Sequence, residues 1–134
     1  MKSIFKVLIV SFFFSSSAFG KQCTERKWRE DFPKGEEKGL ICNLTSGDKM
    51  YYIFSNLKDC AFELYYRDGK TLAQSYIVTQ YIEELAFSDL RLNRKTLFLQ
   101  KDRVKHAQCE VAKAKNIIAS YDRGVMLMLK KNKF

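Results

Sequence analysis

Histidine occurs once in the 134 residues, as His106, and proline once, as Pro33. A lone imidazole excludes any centre built on two, such as a His-rich zinc site or an HExxH helix. The cysteines, Cys23, Cys42, Cys60 and Cys109, are widely spaced with no CxxC pair, which removes zinc ribbons and thioredoxin-like redox motifs. The glycines are scattered at turns and termini and form no phosphate-cradling loop, and no GxSxG context offers a nucleophile elbow. His106 follows Lys101-Asp102-Arg103-Val104-Lys105 with no nucleophile context beside it and reads as an exposed loop histidine. Past the N-terminus no apolar run approaches the roughly 20 residues that a membrane-spanning helix needs. Repeats, low-complexity tracts and Gly/Ser linkers are absent as well. No cofactor and no metal are expected.

What is present points to one folded domain. The chain is 46% hydrophobic and 14% aromatic, enough apolar surface to offset the entropy of ordering. Its first residues have three parts: Lys2 and Lys6, the apolar run Val7–Val10 with Phe12–Phe14, and Ala18-Phe19-Gly20 with small residues at the cleavage positions. That layout is a secretory signal peptide over residues 1–20. Cys23 follows Lys21-Gln22 rather than small residues, so a lipoprotein leader is not expected. The remainder is exported, to a bacterial periplasm or outside the cell, and is not an integral membrane protein once processed. It keeps every cysteine, and an even count in an oxidising compartment implies two disulfides. Three pairings are open to four cysteines, and the spacing does not choose among them.

Residues 21–39 are polar and charged around Trp28 and Phe32, with Pro33 and Gly35 ending any helix. They read as an N-terminal arm pinned through Cys23, leaving residues 40–134 as a β domain. There, Leu40–Leu44 is a short strand closed by the turn Thr45-Ser46-Gly47-Asp48, and Lys49–Phe54 is an aromatic and β-branched strand. Phe62, Leu64 and Tyr66 alternate with Glu63, Tyr65 and Arg67, which predicts a half-buried strand. Asp68-Gly69 is a strong hairpin signal. Residues 72–87 carry both strand and helix patterns and are read as a strand followed by a loop. Leu90 and Leu92 pair with Leu97 and Leu99 across Asn93–Thr96, and a strand follows at Cys109–Ala114. Asn116–Tyr121 and Val125–Leu129 flank Asp122-Arg123-Gly124 and are read as a last hairpin. The expected fold is all-β with minor α content: a single antiparallel sandwich or small barrel of seven or eight short strands, stapled by two disulfides.

Candidate chemistry divides into acids and bases. Glu30-Asp31, Glu36-Glu37 and Glu83-Glu84 could supply an acid and base for glycoside hydrolysis. Neighbouring acids on a strand point to opposite faces, however, and all three pairs sit among Lys, Arg and Gly. They read as solvated charge. Lys and Arg outnumber Asp and Glu by 24 to 15, for a formal charge of +9. They cluster at Arg91, Arg94 and Lys95, at Lys101, Arg103 and Lys105, at Lys113 and Lys115, and at Lys130, Lys131 and Lys133. Hairpin geometry would bring several of these to one molecular edge, where a summed positive field attracts anionic partners. Lysines guarding sheet edges are the structural alternative. Nucleic acid is not expected, because the chain is exported and carries no recognised binding module.

Two further signals are local. Phe134 ends an apolar segment as in outer-membrane barrels, yet the chain is too short for eight long strands with an apolar outer band. Asn43-Leu44-Thr45 is a glycosylation sequon, of consequence only in a eukaryotic source.

The run from Leu40-Ile41-Cys42 through the aromatic strand to Asp68-Gly69-Lys70 loosely resembles the start of the small periplasmic lysozyme inhibitors. That resemblance implies an eight-stranded barrel and a disulfide between an early-strand cysteine and a late one, as Cys42 and Cys109 would form. It covers under a third of the chain. The Ser-Gly loop with a following Tyr that those inhibitors insert into the enzyme has no counterpart here. An excess of positive charge is also a poor match for a basic lysozyme. The expectation is therefore a non-enzymatic binding module whose basic face meets an anionic envelope component (an anionic lipid surface included), a glycan or an acidic protein. The alternatives are an inhibitor of a secreted or periplasmic enzyme and a small carboxylate-dependent hydrolase.

Overall fold

A computed structural model describes Cys23 and residues 37–132. The leader, most of the N-terminal arm, the acids Glu30, Asp31 and Glu36, and Lys133 lie outside the described residues. Eight antiparallel strands close into a barrel: β1 Lys38–Leu44, β2 Lys49–Phe54, β3 Cys60–Arg67, β4 Lys70–Gln80, β5 Glu84–Phe87, β6 Leu90–Asn93, β7 Phe98–Lys101 and β8 Val104–Lys113. Each strand pairs with its sequence neighbours, and β8 returns to β1 over seven registered pairs, from Lys38 opposite Lys113 to Leu44 opposite Ala107. An 18-residue helix, α1 Ala114–Lys131, follows without a break.

Local chemistry sets the turns. Asp68 and Gly69 both take positive φ, 53° and 76°, as a two-residue hairpin loop requires. Asp102 and Arg103 form the equivalent turn with no glycine, at 52° and 66°. Residues 72–87 resolve into the end of a continuous β4, a three-residue connection and β5. The segment read there as a loop is thus a strand, because Leu85 and Phe87 alternate into the core.

An eight-stranded barrel is just wide enough for side chains to fill it. Leu40, Cys42, Tyr52, Phe54, Ala61, Val78, Leu85, Phe87, Leu90, Leu92, Leu99, Ala107 and Cys109 form that interior. Phe87 meets Tyr52 and Phe54 edge-on, at centroid separations of 5.2 and 5.5 Å. This apolar filling is the inverse of the polar lumen of an outer-membrane barrel, and β5, β6 and β7 have only four residues each against the 9–11 that span a bilayer.

A second apolar cluster lies outside the barrel wall: Ile41, Tyr51, Ile53, Cys60, Phe62, Leu64 and Ala73, covered by Ala114 and Ile117 of α1 with Ile118, Tyr121 and Cys23 against it. It inverts the reading of β3. Phe62 and Leu64 face outward beneath this cover, while Ala61 and Glu63 occupy the opposite, inward phase. It also corrects the C-terminal hairpin, since residues 116–121 and 125–129 are helix throughout. Ala114, Ile117, Ile118 and Tyr121 recur at the i, i+3, i+4, i+7 spacing of one helical face. Once β8 has paired with β1, moreover, no free sheet edge remains for another hairpin. Gly124 passes Tyr51 where an added Cβ would lie 3.9 Å from its hydroxyl, and the Tyr51 and Tyr121 rings meet at 5.3 Å.

All four cysteines are paired, Cys23 with Cys60 and Cys42 with Cys109. The second bridge, the one implied by the lysozyme-inhibitor resemblance, ties the first strand to the last inside the barrel. Both belong to the chemistry of an oxidising compartment.

Candidate functional site

Strand direction distributes the basic residues. The barrel has an upper mouth, where β1 begins, β8 ends and residues 55–59, 81–83 and 94–97 connect strands. Its lower mouth carries the turns at 45–48, 68–69, 88–89 and 102–103. Arg94 and Lys95 are therefore at the upper mouth, and Lys101 and Arg103 at the lower. Lys113 and Lys115 flank the junction of β8 with α1, and Lys130 and Lys131 end α1. Of the eleven cations singled out from the sequence, no single edge gathers those that are described.

Several are also engaged. Arg91 pairs with Glu84 and stands 5.7 Å from the Tyr81 ring. Lys101 reaches Asp89 at 3.5 Å, and Lys105 lies 4.0 Å over the Phe98 ring. These contacts fit solvated wall residues, for which each ion pair contributes about 0–1 kcal/mol. His106 lies in β8 and is half-buried, not in a loop.

The end of α1 differs in kind. Thr71, at the lower end of β4, donates to Asp122 at 3.4 Å, so the helix descends the wall and reaches the lower mouth by residue 122. Past Gly124 its side chains leave the barrel. Met126, Leu127, Met128 and Leu129 are 57%, 60%, 69% and 46% exposed. Four consecutive residues sample every side of a helix at 3.6 per turn, so this one turn is apolar all round. A helix apolar on all sides belongs in an apolar environment. Lys130 and Lys131 follow directly, exposed, where they also complement the negative helix C-terminus. No described helix is long and apolar enough to cross a membrane.

Among the acids, Glu83 is exposed between β4 and β5, Glu84 is spent on Arg91, and Glu37 is buried at the start of β1. No two of the described members of these pairs oppose each other across a cleft. Glu63 is placed differently, for it points into the barrel, in the same phase of β3 as Ala61. Burial pushes its carboxyl above the usual range, against the opposing pull of a hydrogen bond from Tyr76 Oη at 3.2 Å. Tyr52 and Tyr76 are both pushed up, by burial first and by Glu63 next. The sequence pattern had put Glu63 on the solvent side. The available signal was Ala61, a small apolar residue in the same phase of β3.

The upper mouth holds a pit of about 230 Å³ lined by Gly39, Leu40, Phe54, Leu85, Leu92, Leu97 and Val111, with Lys38, Lys58 and Arg94 as its charged lining. The chain matches no protein family, no curated protein and no solved structure.

Proposed function

We propose that this is an exported, non-enzymatic binding module that docks on an anionic lipid surface through the last two turns of α1. The observation that carries the reading is the exposure of Met126–Leu129 immediately before Lys130 and Lys131. A glycan offers nothing to cover four apolar side chains, whereas the interface of an anionic bilayer meets both needs. Covering what these side chains expose yields about 3–7 kcal/mol at the usual 1.5–3 kcal/mol per fully buried residue. Each lysine near an anionic leaflet adds about 1 kcal/mol.

Flotation of the leaderless protein with phosphatidylcholine vesicles, with and without phosphatidylglycerol, tests this. Binding is expected only to the anionic vesicles, and weaker as salt rises. Replacing both lysines, Lys130→Ala with Lys131→Ala, removes about 2 kcal/mol and weakens binding about 30-fold. Equal flotation with neutral vesicles overturns the reading, as does a tail buried instead in a stable dimer.

A second reading is inhibition of a secreted enzyme. It is supported by the eight-stranded barrel and the Cys42–Cys109 bridge that the lysozyme-inhibitor resemblance implies. Lysozyme retaining full activity in a molar excess of the protein removes it.

A further inference from the structure

The pit at the upper mouth has the chemistry of a receptor for an amphiphile. Its wall is aliphatic and aromatic, from Leu40, Phe54, Leu85, Leu92 and Leu97. Its charged lining residues, Lys38, Lys58 and Arg94, come from three separate segments: the start of β1, the β2–β3 connection and the β6–β7 connection. No acid lines it. Three cations gathered around an uncharged depression repel one another and are stabilised by an anion placed between them.

The rim is held in place. Lys58 and Leu97 have φ of 57° and 60°, a left-handed conformation that costs a non-glycine residue free energy and persists only where its surroundings enforce it. Ser55 enforces the first. Its Oγ accepts from the backbone of Asp59 at 3.1 Å and of Cys60 at 3.0 Å, and Lys58 N donates to Ser55 O at 2.8 Å. Asn93 enforces the second. Its Oδ1 accepts from the backbone of Lys95 and Thr96 at 2.8 and 2.9 Å, and Leu97 N donates to Asn93 O at 2.9 Å. Arg94 Nη1 donates to Tyr81 O at 2.9 Å and Gln80 Nε2 to Leu57 O at 2.8 Å, joining the three upper connections. A site whose loops are already fixed loses little entropy on binding. At the same mouth Leu57 and Ile82 are 78% and 95% exposed, an apolar approach to the opening.

From this arrangement we infer that the upper mouth binds a single-chain anionic amphiphile, its acyl end in the pit and its carboxylate or phosphate among Lys38, Lys58 and Arg94. The volume limits the chain. At about 230 Å³ the pit exceeds the roughly 150 Å³ cavity that holds one benzene, and falls below the 300–1,000 Å³ typical of pockets enclosing a whole drug-sized ligand. Medium chains fit and long ones protrude. This site stands at the opposite end of the barrel from the α1 tail and does not depend on membrane docking.

The test uses the intact leaderless protein and a fluorescent fatty acid, cis-parinaric acid, displaced by defined competitors. Decanoic acid and decyl phosphate are expected to compete, decanol at least tenfold less well, and decyltrimethylammonium not at all. Comparing the two acids separates a free fatty acid from a phosphate-headed lipid as the preferred source. The paired rim substitution Lys58→Glu with Arg94→Glu falls in two connections outside the strands and is expected to weaken decanoate at least tenfold with an unchanged circular dichroism spectrum. The alanine pair in α1 leaves this binding unchanged, so the two sites fail independently. Absence of fluorescence enhancement, equal competition by the cationic amphiphile, or full affinity in the rim variant each overturns the inference.

Discussion

The Cys42–Cys109 bridge closes 67 residues of chain, and its contribution follows from that length. Restricting an unfolded loop of this size removes entropy worth about 4.4 kcal/mol at room temperature. In the native barrel the same two strands are already held by seven registered pairs, so replacing both cysteines leaves β1 against β8. The loss belongs to the unfolded state. The double variant Cys42→Ala with Cys109→Ala should fold to the same barrel and lose about 4 kcal/mol. With a urea slope of about 1.5 kcal/mol/M its midpoint falls by about 3 M. Urea unfolding followed by circular dichroism gives the equilibrium value, and stopped-flow mixing divides it. Losing a bridge that acts through the free chain slows refolding and leaves unfolding nearly unchanged, because the folded contacts persist. A loss under about 1 kcal/mol, or one carried by faster unfolding, would refute the chain-entropy argument and make the bridge a native-state clamp.

Gly39 has no room for a side chain: a Cβ there would collide with the carbonyl of Tyr52, lie 2.6 Å from Ile117 Cδ1 and 2.9 Å from Ile53 Cα. Gly39→Ala must part β1 from β2 or lift α1, and a loss of about 3 kcal/mol or more is expected in urea unfolding. Gly69→Ala, at φ 76° in open space, should cost only about 1 kcal/mol. Glu63 has a raised folded pKa, so the folded state holds its proton more tightly than the unfolded chain does. Its contribution is full below the ordinary carboxylate value and is lost as pH rises through the folded value. Urea midpoints should therefore fall from acidic to neutral pH, and Glu63→Gln should flatten that slope and raise the neutral midpoint. An unchanged slope would place the titration on another group.

The strands were legible where one local rule decides. Asp68-Gly69 demands its turn, and Leu90 and Leu92 alternate as core-facing residues do; Leu85 and Phe87 alternate in the same way but were masked by the helix-forming Glu83-Glu84-Leu85-Ala86. The inward phase of β3 was not legible, because it depends on α1 covering Phe62 and Leu64 from outside, a tertiary fact. The helix itself was recoverable. Ala114, Ile117, Ile118 and Tyr121 had the right spacing, but Asp122-Arg123-Gly124 carries a turn signal strong by itself, and only barrel closure removes the partner that a hairpin would need. Of the basic residues, Lys130 and Lys131 were found as a sequence cluster, and Arg94 joins the rim. Lys38 and Lys58 were missed because isolated cations acquire meaning only when three segments converge.

Closure and cover together explain why the two candidate sites sit where they do. A barrel that pairs β8 with β1 has spent every edge, so a C-terminal segment can add stability only by packing on the wall. The apolar patch there ends where Tyr51 meets Tyr121, at the level of Gly124, and the helix continues for two further turns whose apolar side chains stay exposed. Apolar residues are costly in water there, and on the reading proposed above an anionic surface covers them, with the two lysines at the tip selecting its charge. At the other end β5, β6 and β7 have only four residues each, and the interior is not filled to its mouth. The depression left behind is bordered by the connections that carry Lys58 and Arg94. Removing α1 beyond Gly124 should therefore abolish vesicle binding while leaving the pit and its ligand affinity intact, and loss of both together would mean that the tail supports the barrel and has no separate docking role.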